Sequence, residues 1–336
     1  MNTSNALARA VELAKRGPAH GPNPRVGAVL LRDGVVIGEG WHKGAGTPHA
    51  EADAIENALQ NGNTVTGAQL IVTLEPCNHH GRTPPCTDLI LAAGISKVIY
   101  ASPDPGTKSG GGAQYLNSNG IPTAQLENKA ATELARIWAF AITQGRPYVT
   151  VKLATSLDGR IAAQDGASQW ITGAQSRQHA HQIRSQVDAI LVTTGTVLAD
   201  NAALTARDAN GDLYAHQPLR VIIGKRSIPA DARIIQTGDP ANVLQYHTHD
   251  ISDVLAKLGQ LEVRHVLVEG GPALLTACFT AGVVDEVNAY IAPVVIGAGK
   301  TAVHDYGATT LSAAARFATK SVQRLGDDVL LIAQKT

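Results

Sequence analysis

Two of the three cysteines, Cys77 and Cys86, lie in one Pro- and His-rich stretch, Glu75-Pro76-Cys77-Asn78-His79-His80-Gly81-Arg82-Thr83-Pro84-Pro85-Cys86. Its prolines and polar groups exclude a buried strand or a helix interior. Upstream stands His49-Ala50-Glu51. Together these residues offer three metal-ligand side chains and a carboxylate that need not be a ligand. A structural zinc is normally closed by four protein ligands, whereas a hydrolytic zinc keeps one position for water and needs a nearby base. The ligands must converge, and that demand constrains the fold. A helix from His49 to about Asn61, ended by Gly62, and a strand over Leu70 to Leu74 would do it. They set His49 and Glu51 at a helix N-terminus and Cys77 just beyond a strand's C-terminal end, where open α/β sheets hold their ligands. Inert thiols or a disulfide are the alternative. Cys278, in an apolar helical run, reads as core.

With 336 residues and 44% hydrophobic content the chain is long enough for two ordinary cores. Lys+Arg and Asp+Glu are both 28, so no net basic field draws in nucleic acid or an anionic membrane. Met1 to Arg16 reads as an amphipathic helix capped by Asn2, Thr3 or Ser4, without the charged start and apolar run of a signal peptide. No stretch reaches the length of a membrane span. Few cysteines, two of them committed to metal, fit a reducing cytoplasm.

Apolar runs of strand length alternate with helical patterns. Val26 to Leu31 and Val35 to Glu39 flank Asp33-Gly34, a hairpin signal. Pro85 to Ala93 reads as a short helix, Lys97 to Ala101 as a strand, Gly106 to Gly112 as a loop and Glu127 to Thr143 as a long helix. The pattern breaks at Gly145-Arg146-Pro147 and then restarts, with strands at Tyr148 to Ala154, Ala189 to Thr193, Leu219 to Ile223, Asn242 to Tyr246, His265 to Val268, Val287 to Ile291 and Val329 to Ala333. Helices fall near Gln175 to Gln186 and from Pro272 through Ala281. The expectation is two α/β domains, residues 1–145 and 146–336.

The second half shows no metal cluster and no nucleophile elbow. Polar residues instead collect at element ends: Ser156 to Arg160, Ser168 to Thr172, Gly195 to Asp200, and Glu269-Gly270-Gly271 before a helix. Glycines there permit close backbone approach, and a helix N-terminus offers N–H groups to a phosphate. A phosphate cradle and a plain tight turn fit this pattern equally well.

His49-Ala50-Glu51, the stretch Thr73 to Cys86, Lys152-Leu153-Ala154-Thr155-Ser156-Leu157-Asp158-Gly159-Arg160 and Val268-Glu269-Gly270-Gly271-Pro272 together resemble the bacterial bifunctional riboflavin-biosynthesis deaminase/reductases. Zinc deaminases carry a general acid/base Glu that is not a ligand, and those acting on nucleic acid usually have P-C-x-x-C. Here eight residues separate Cys77 from Cys86. The resemblance implies a cytidine-deaminase-like three-layer domain followed by a dihydrofolate-reductase-like α/β domain, with Zn2+ and NADPH as cofactors, and we expect a homo-oligomer acting on small phosphoribosylaminopyrimidines. A free-standing zinc deaminase with a degenerate second domain, or a non-enzymatic zinc-stabilised interaction module, are the rival readings.

By that resemblance His49, Cys77 and Cys86 bind zinc and Glu51 moves protons. Asn23 and His42 contact the pyrimidine, while His79, His80 and Arg82 are candidates for the phosphoribosyl end. In the second domain Ser168, Arg184, Leu204, Arg207 and Glu269 surround the substrate. Ala154, Trp170, Thr172, Thr196, Asp200, Gly271 and Pro272 line the coenzyme. Lys152 and Asp200 are the candidates for polarising the ring-opened sugar and placing a proton. Arg184 and Arg207 suit a ribose phosphate, guanidinium forks being matched to phosphate oxygens. Lys225 and Arg226, after a strand end, are placed to meet the coenzyme 2′-phosphate. The family often reads Asp-Asp-Pro where this chain has Asp200-Asn201-Ala202, and often has Asp at Gly224.

Overall fold

In a computed structural model, which describes residues 1–81 and 84–336, the chain forms two compact units, Met1–Gly145 and Arg146–Thr336. The first has five strands, β1 (Gly27–Arg32), β2 (Val35–Trp41), β3 (Gln69–Leu74), β4 (Lys97–Ser102) and β5 (Thr123–Gln125), in the order β2-β1-β3-β4-β5. The β1–β2 turn is the one Asp33-Gly34 signals: both residues have positive φ, 50° and 75°, as a two-residue hairpin connection requires. β1 pairs antiparallel with β2 and β3, and β3, β4 and β5 run parallel.

Helices cover both faces, making three layers. On one side α1 (Thr3–Ala14) and α5 (Lys129–Gln144) pack Leu7, Ala10, Leu13 and Ala131 on Val29, Leu31, Ile71 and Ile99. Of the three cap candidates it is Asn2 that accepts from the Asn5 N–H. On the other side α2 (Ala50–Gln60), α3 (Cys86–Ala92) and α4 (Gly112–Ser118) pack Ala54, Ile55, Ile90 and Leu116 on Leu30, Leu70, Val72 and Val98. Both α4 and β5 go beyond the sequence reading, which assigns no element between the glycine-rich loop and the helix over Glu127 to Thr143.

The second unit is built on an eight-stranded sheet. Its strands are β6 (Tyr148–Ser156), β8 (Ala189–Thr193), β9 (Leu219–Ile223), β10 (Val243–Tyr246), β11 (His265–Val268), β12 (Glu286–Ala292), β14 (Phe317–Leu325) and β15 (Asp328–Lys335), while β7 (Arg160–Ala163) and β13 (Gly299–Thr301) form a separate pair. The order is β10-β9-β8-β11-β6-β12-β15-β14, parallel from β10 to β12 and antiparallel beyond. On one face α9 (Ile251–Gln260) and α10 (Pro272–Thr280) bury Val254, Leu255, Leu275 and Cys278 against Val149, Val151, Val266 and Val268. On the other lie α6 (Ala174–Arg184) and α7 (Thr194–Asp200), with α8 (Arg233–Gln236) nearby in the same core. The unit closes on its first residue: Arg146 reaches Asp285 with both terminal nitrogens at 2.7 and 2.8 Å, and Asp285 also accepts from the Val149 N–H.

Candidate functional site

In the first unit β3 ends just before the cysteine stretch and α3 begins at Cys86, so Cys77 follows a strand and Cys86 opens a helix. α2 begins immediately after His49, its N-cap residue. The loop is anchored from below. The buried Glu75 carboxylate accepts from the Asp104 N–H at 3.0 Å and the Ala113 N–H at 2.9 Å, and the Asn78 N–H donates to the Ser109 carbonyl. Gly112 lies so close that a Cβ there would strike the Pro76 carbonyl oxygen. Glu75 and this contact were not among the sequence candidates. The signal available was an acidic residue at the end of an apolar strand.

The His49 Nδ1 lies 3.3 Å from the Cys86 Sγ and 3.6 Å from the Cys77 Sγ, and the three ligand atoms all fall within 4.8 Å of one another. Bonds of roughly 2.0 Å to nitrogen and 2.3 Å to sulfur at a tetrahedral angle give an N···S edge of about 3.5 Å. The donor set therefore fits zinc with one coordination position left open. All three cysteines of the chain are free thiols. Hydrogen bonding from the Cys86 thiol, with the Cys86 N–H at 3.4 Å, favours the Cys77 thiolate and drops its pKa to about 4; the Cys86 thiol is correspondingly raised. His49, hydrogen-bonded to Cys77, is raised as well. Glu51, in the first turn of α2, is 4% exposed, and burial first, then the neighbouring Cys77, pushes its carboxyl up to about 7.

His42 sits edge-on to His49, ring centroids 5.4 Å apart. Its Nδ1 is 3.1 Å from the Pro48 carbonyl, which can only accept, so the proton lies on Nδ1. Its Nε2 then accepts from the Asn23 amide at 2.9 Å, and burial lowers the His42 pKa, keeping this neutral form. His79 is half-buried with its Nδ1 unpartnered among the described residues, and His80 is exposed. Arg82, the remaining candidate at this end, lies outside the described residues.

In the second unit Glu269, one residue past β11, gathers two of the predicted cations. The Lys152 Nζ is 3.2 Å from it, and Arg184, on the last turn of α6, donates from Nε at 2.5 Å and Nη2 at 2.8 Å. Burial opposes ionisation of Glu269, but the charges of Arg184 and Lys152 outweigh it and hold the carboxyl well below the ordinary range. The Arg184 fork that the sequence assigns to a phosphate is thus engaged by Glu269, with Nη1 on the Thr205 carbonyl. Arg207 donates to the Thr205 hydroxyl at 3.0 Å and to the Gly211 carbonyl, and Leu204 beside it is buried with φ 54°.

The coenzyme candidates occupy the ends of elements. Ala154 is in β6, Thr196 is in the first turn of α7, where its N–H donates to the Thr193 hydroxyl, and Asp200 ends that helix exposed to solvent. Gly271 caps α10, Pro272 is its first residue, and a Cβ on Gly271 would meet nothing within 4 Å, so the backbone there is open to a ligand. Ser168 and Trp170 are exposed, the Trp170 ring lying under Arg177, and Thr172 is buried. Lys225 is exposed, while the Arg226 Nη2 comes within 3.1 Å of a Cβ placed on Gly195.

Of the departures from the family pattern, Asn201 and Gly224 have local causes, and nothing in the structure explains Ala202. Asn201 ends α7 in the left-handed conformation that Asn tolerates, and its side chain accepts from the Arg233 N–H. Gly224 has φ 136° and is pressed on Thr194, leaving no room for a side chain.

Comparison with known proteins gives concordant results. Residues 1–102 match the cytidine and deoxycytidylate deaminase zinc-binding region, and residues 147–331 match the RibD C-terminal domain. The riboflavin biosynthesis protein RibD of Mycobacterium tuberculosis is 44% identical over 313 residues, covering 92% of this chain and 90% of that one. The Escherichia coli RibD is 38% identical, with 97% of each covered. Acinetobacter baumannii RibD superposes with a TM-score of 0.89 at 34% identity over 99% of both chains. A Thermotoga maritima structure, a diaminohydroxyphosphoribosylaminopyrimidine deaminase/5-amino-6-(5-phosphoribosylamino)uracil reductase, does so at 0.87 and 33% over 99% of each. The first domain is cytidine-deaminase-like and the second is a RibD reductase domain, which disfavours both the degenerate second domain and the non-enzymatic zinc module. No helix among the described residues is long and apolar enough to cross a membrane. With a match to a deaminase zinc-binding region and a reductase domain in one polypeptide, and near-complete coverage by such relatives, the chain belongs to the RibD family of riboflavin biosynthesis proteins.

Proposed function

We propose that this chain carries out two consecutive steps of riboflavin biosynthesis. Residues 1–145 form a zinc-dependent deaminase of 2,5-diamino-6-(5-phosphoribosylamino)pyrimidin-4(3H)-one. Residues 146–336 form an NADPH-dependent reductase that converts the ribosyl group of 5-amino-6-(5-phosphoribosylamino)uracil to ribityl. The observation that carries the reading is the tetrahedral spacing of His49, Cys77 and Cys86 beside the buried Glu51 carboxyl.

His49, Cys77 and Cys86 hold the zinc, which when bound supplies a Lewis acid and makes water nucleophilic near neutral pH. Glu51, raised to about 7, takes a proton from the attacking water and gives it to the ring nitrogen, then takes the remaining proton from the added hydroxyl and gives it to the amine, which leaves as ammonia. His42 locks the Asn23 amide with its nitrogen inward, so Asn23 offers its oxygen to a donor on the pyrimidine edge. His79 and Arg82 receive the phosphoribosyl end.

NADPH supplies a hydride to the second reaction. Lys152 polarises the carbonyl of the ring-opened sugar, and Asp200 places the accompanying proton. Glu269, held by Arg184, orients Lys152, while Ser168, Leu204 and Arg207 frame the substrate and its phosphate. Ala154, Trp170, Thr172, Thr196, Gly271 and Pro272 line the coenzyme, and Lys225 with Arg226 meets its 2′-phosphate. Free thiols at Cys77 and Cys86 suit a reducing cytoplasm, and the working form is a homo-oligomer, which sedimentation would test. The deciding experiment supplies purified zinc-loaded protein with each substrate in turn. Ammonia from the first and NADPH oxidation dependent on the second are expected; the absence of either removes that half of the reading.

A further inference from the structure

Lys152 lies in the middle strand of a three-strand row. On one side β11 pairs with β6 so that Val268 faces Val151, which brings the next residue, Glu269, level with Lys152. On the other side β12 pairs with β6 so that Asn288 faces Lys152 directly. Neighbouring residues of a sheet project from the same face, and two residues earlier the pair Thr150 and Glu286 does so, their side chains being hydrogen-bonded at 3.4 Å. Glu269, Lys152 and Asn288 therefore stand side by side.

Lys152 spends one N–H on Glu269. Asn288 is 3% exposed, and its Oδ1 is one of three buried side-chain atoms without a hydrogen-bond partner among the described residues. Leaving a buried amide oxygen unpaired is costly, and an apolar residue of the same shape would avoid that cost. The nearest cation in its row is the Lys152 ammonium, which has further N–H groups to give. Two residues along β12, the Tyr290 hydroxyl bonds the His179 Nδ1 at 2.8 Å, so this face of the strand already carries polar side chains beneath α6.

Resting on the reductase reading above, we infer that Asn288 is a positioning residue for Lys152: its free carbonyl oxygen is the second acceptor that, opposite Glu269, fixes the direction of the ammonium when the sugar chain engages the site. It touches neither hydride donor nor acceptor and acts through Lys152. Nothing in the motif set announces it, because it sits inside the apolar run Val287 to Ile291.

The test is steady-state NADPH oxidation with the deaminated substrate, using Asn288→Leu, Asn288→Asp, Lys152→Met and the double variant Lys152→Met/Asn288→Leu. Wild-type oxidation establishes the reading on which the inference rests, and its failure would be seen before any variant is compared. Asn288→Leu should lower kcat about tenfold, as expected for one hydrogen bond to a charged group, with the KM for NADPH within about twofold of wild type. Asn288→Asp, which keeps an acceptor in place, should restore most of the loss. In the Lys152→Met background Asn288→Leu should cost nothing further, since residues acting through one another are non-additive. An unchanged kcat for Asn288→Leu overturns the inference, and so does an equal loss in both backgrounds. Should Asn288→Leu fail to bind NADPH or to melt cooperatively, Asn288→Asp decides alone: loss of kcat on the order of Lys152→Met would overturn it.

Discussion

Glu51 shows how one side chain's surroundings set its use. It is buried in the first turn of the helix that His49 caps, close to the three proposed ligands. Glu51→Gln keeps shape and donor set but cannot carry a proton. It should retain zinc by metal analysis while ammonia release falls about 10²–10⁴-fold. Loss of zinc with the activity would show that Glu51 is a ligand. Glu269 is the contrasting carboxylate, buried between two cations. Glu269→Gln leaves Arg184 and Lys152 uncompensated and should destabilise the second unit by about 3–5 kcal/mol in urea melts. Since its folded pKa is depressed, the stabilisation is present above the unfolded carboxylate value and vanishes only as pH falls through the lower folded one. Between about pH 6 and 8 the wild-type midpoint should not move on its account. The meeting of His49, Cys77 and Cys86 could be read from the sequence because side chains that suit a metal announce themselves by type and spacing. The salt-bridge duty of Arg184 could not, because a guanidinium suited to phosphate is equally suited to a carboxylate that only the fold brings near.

At the scale of elements, the strands that were legible are those buried on both faces, such as β3, β8 and β11, which read as unbroken apolar runs. β14 is an edge strand with mostly exposed residues, and its pattern carries no apolar alternation; pairing with β15 defines it. β7 and β13 are short and exist only as partners of one another. α9 is different, because Ile251, Val254, Leu255 and Leu258 recur at helical spacing behind the cap Asp250, a pattern present in the sequence between two stronger strand signals. The cysteine loop depends on elements as much as on its ligands. Gly112→Ala would push the start of α4 against the Pro76 carbonyl, next to Cys77. We expect a cost of about 1–3 kcal/mol from overpacking, together with faster zinc loss to a chelating dye. An unchanged zinc off-rate would show that α4 is not the floor of the metal site.

On the scale of the whole molecule, the two units have separate sheets and separate cores. Cys77→Ser should therefore abolish zinc binding and ammonia release while leaving NADPH oxidation with the deaminated intermediate within about twofold of wild type, since changes at sites that share no partners are additive. Both activities disappearing from a folded variant would point to a composite site. The division near Gly145-Arg146-Pro147 was visible as a break in the alternation, whereas the strand order was not, since periodicity says which runs are strands but not which are neighbours. The clamp of Arg146 on Asp285 adds something further. The residue that opens the second unit is fastened to the sequence entering a strand of its own sheet, and all eight strands of that sheet lie downstream of it. In genetic terms the seam is a joint: a reading frame begun at codon 146 would carry every strand of the eight-stranded sheet.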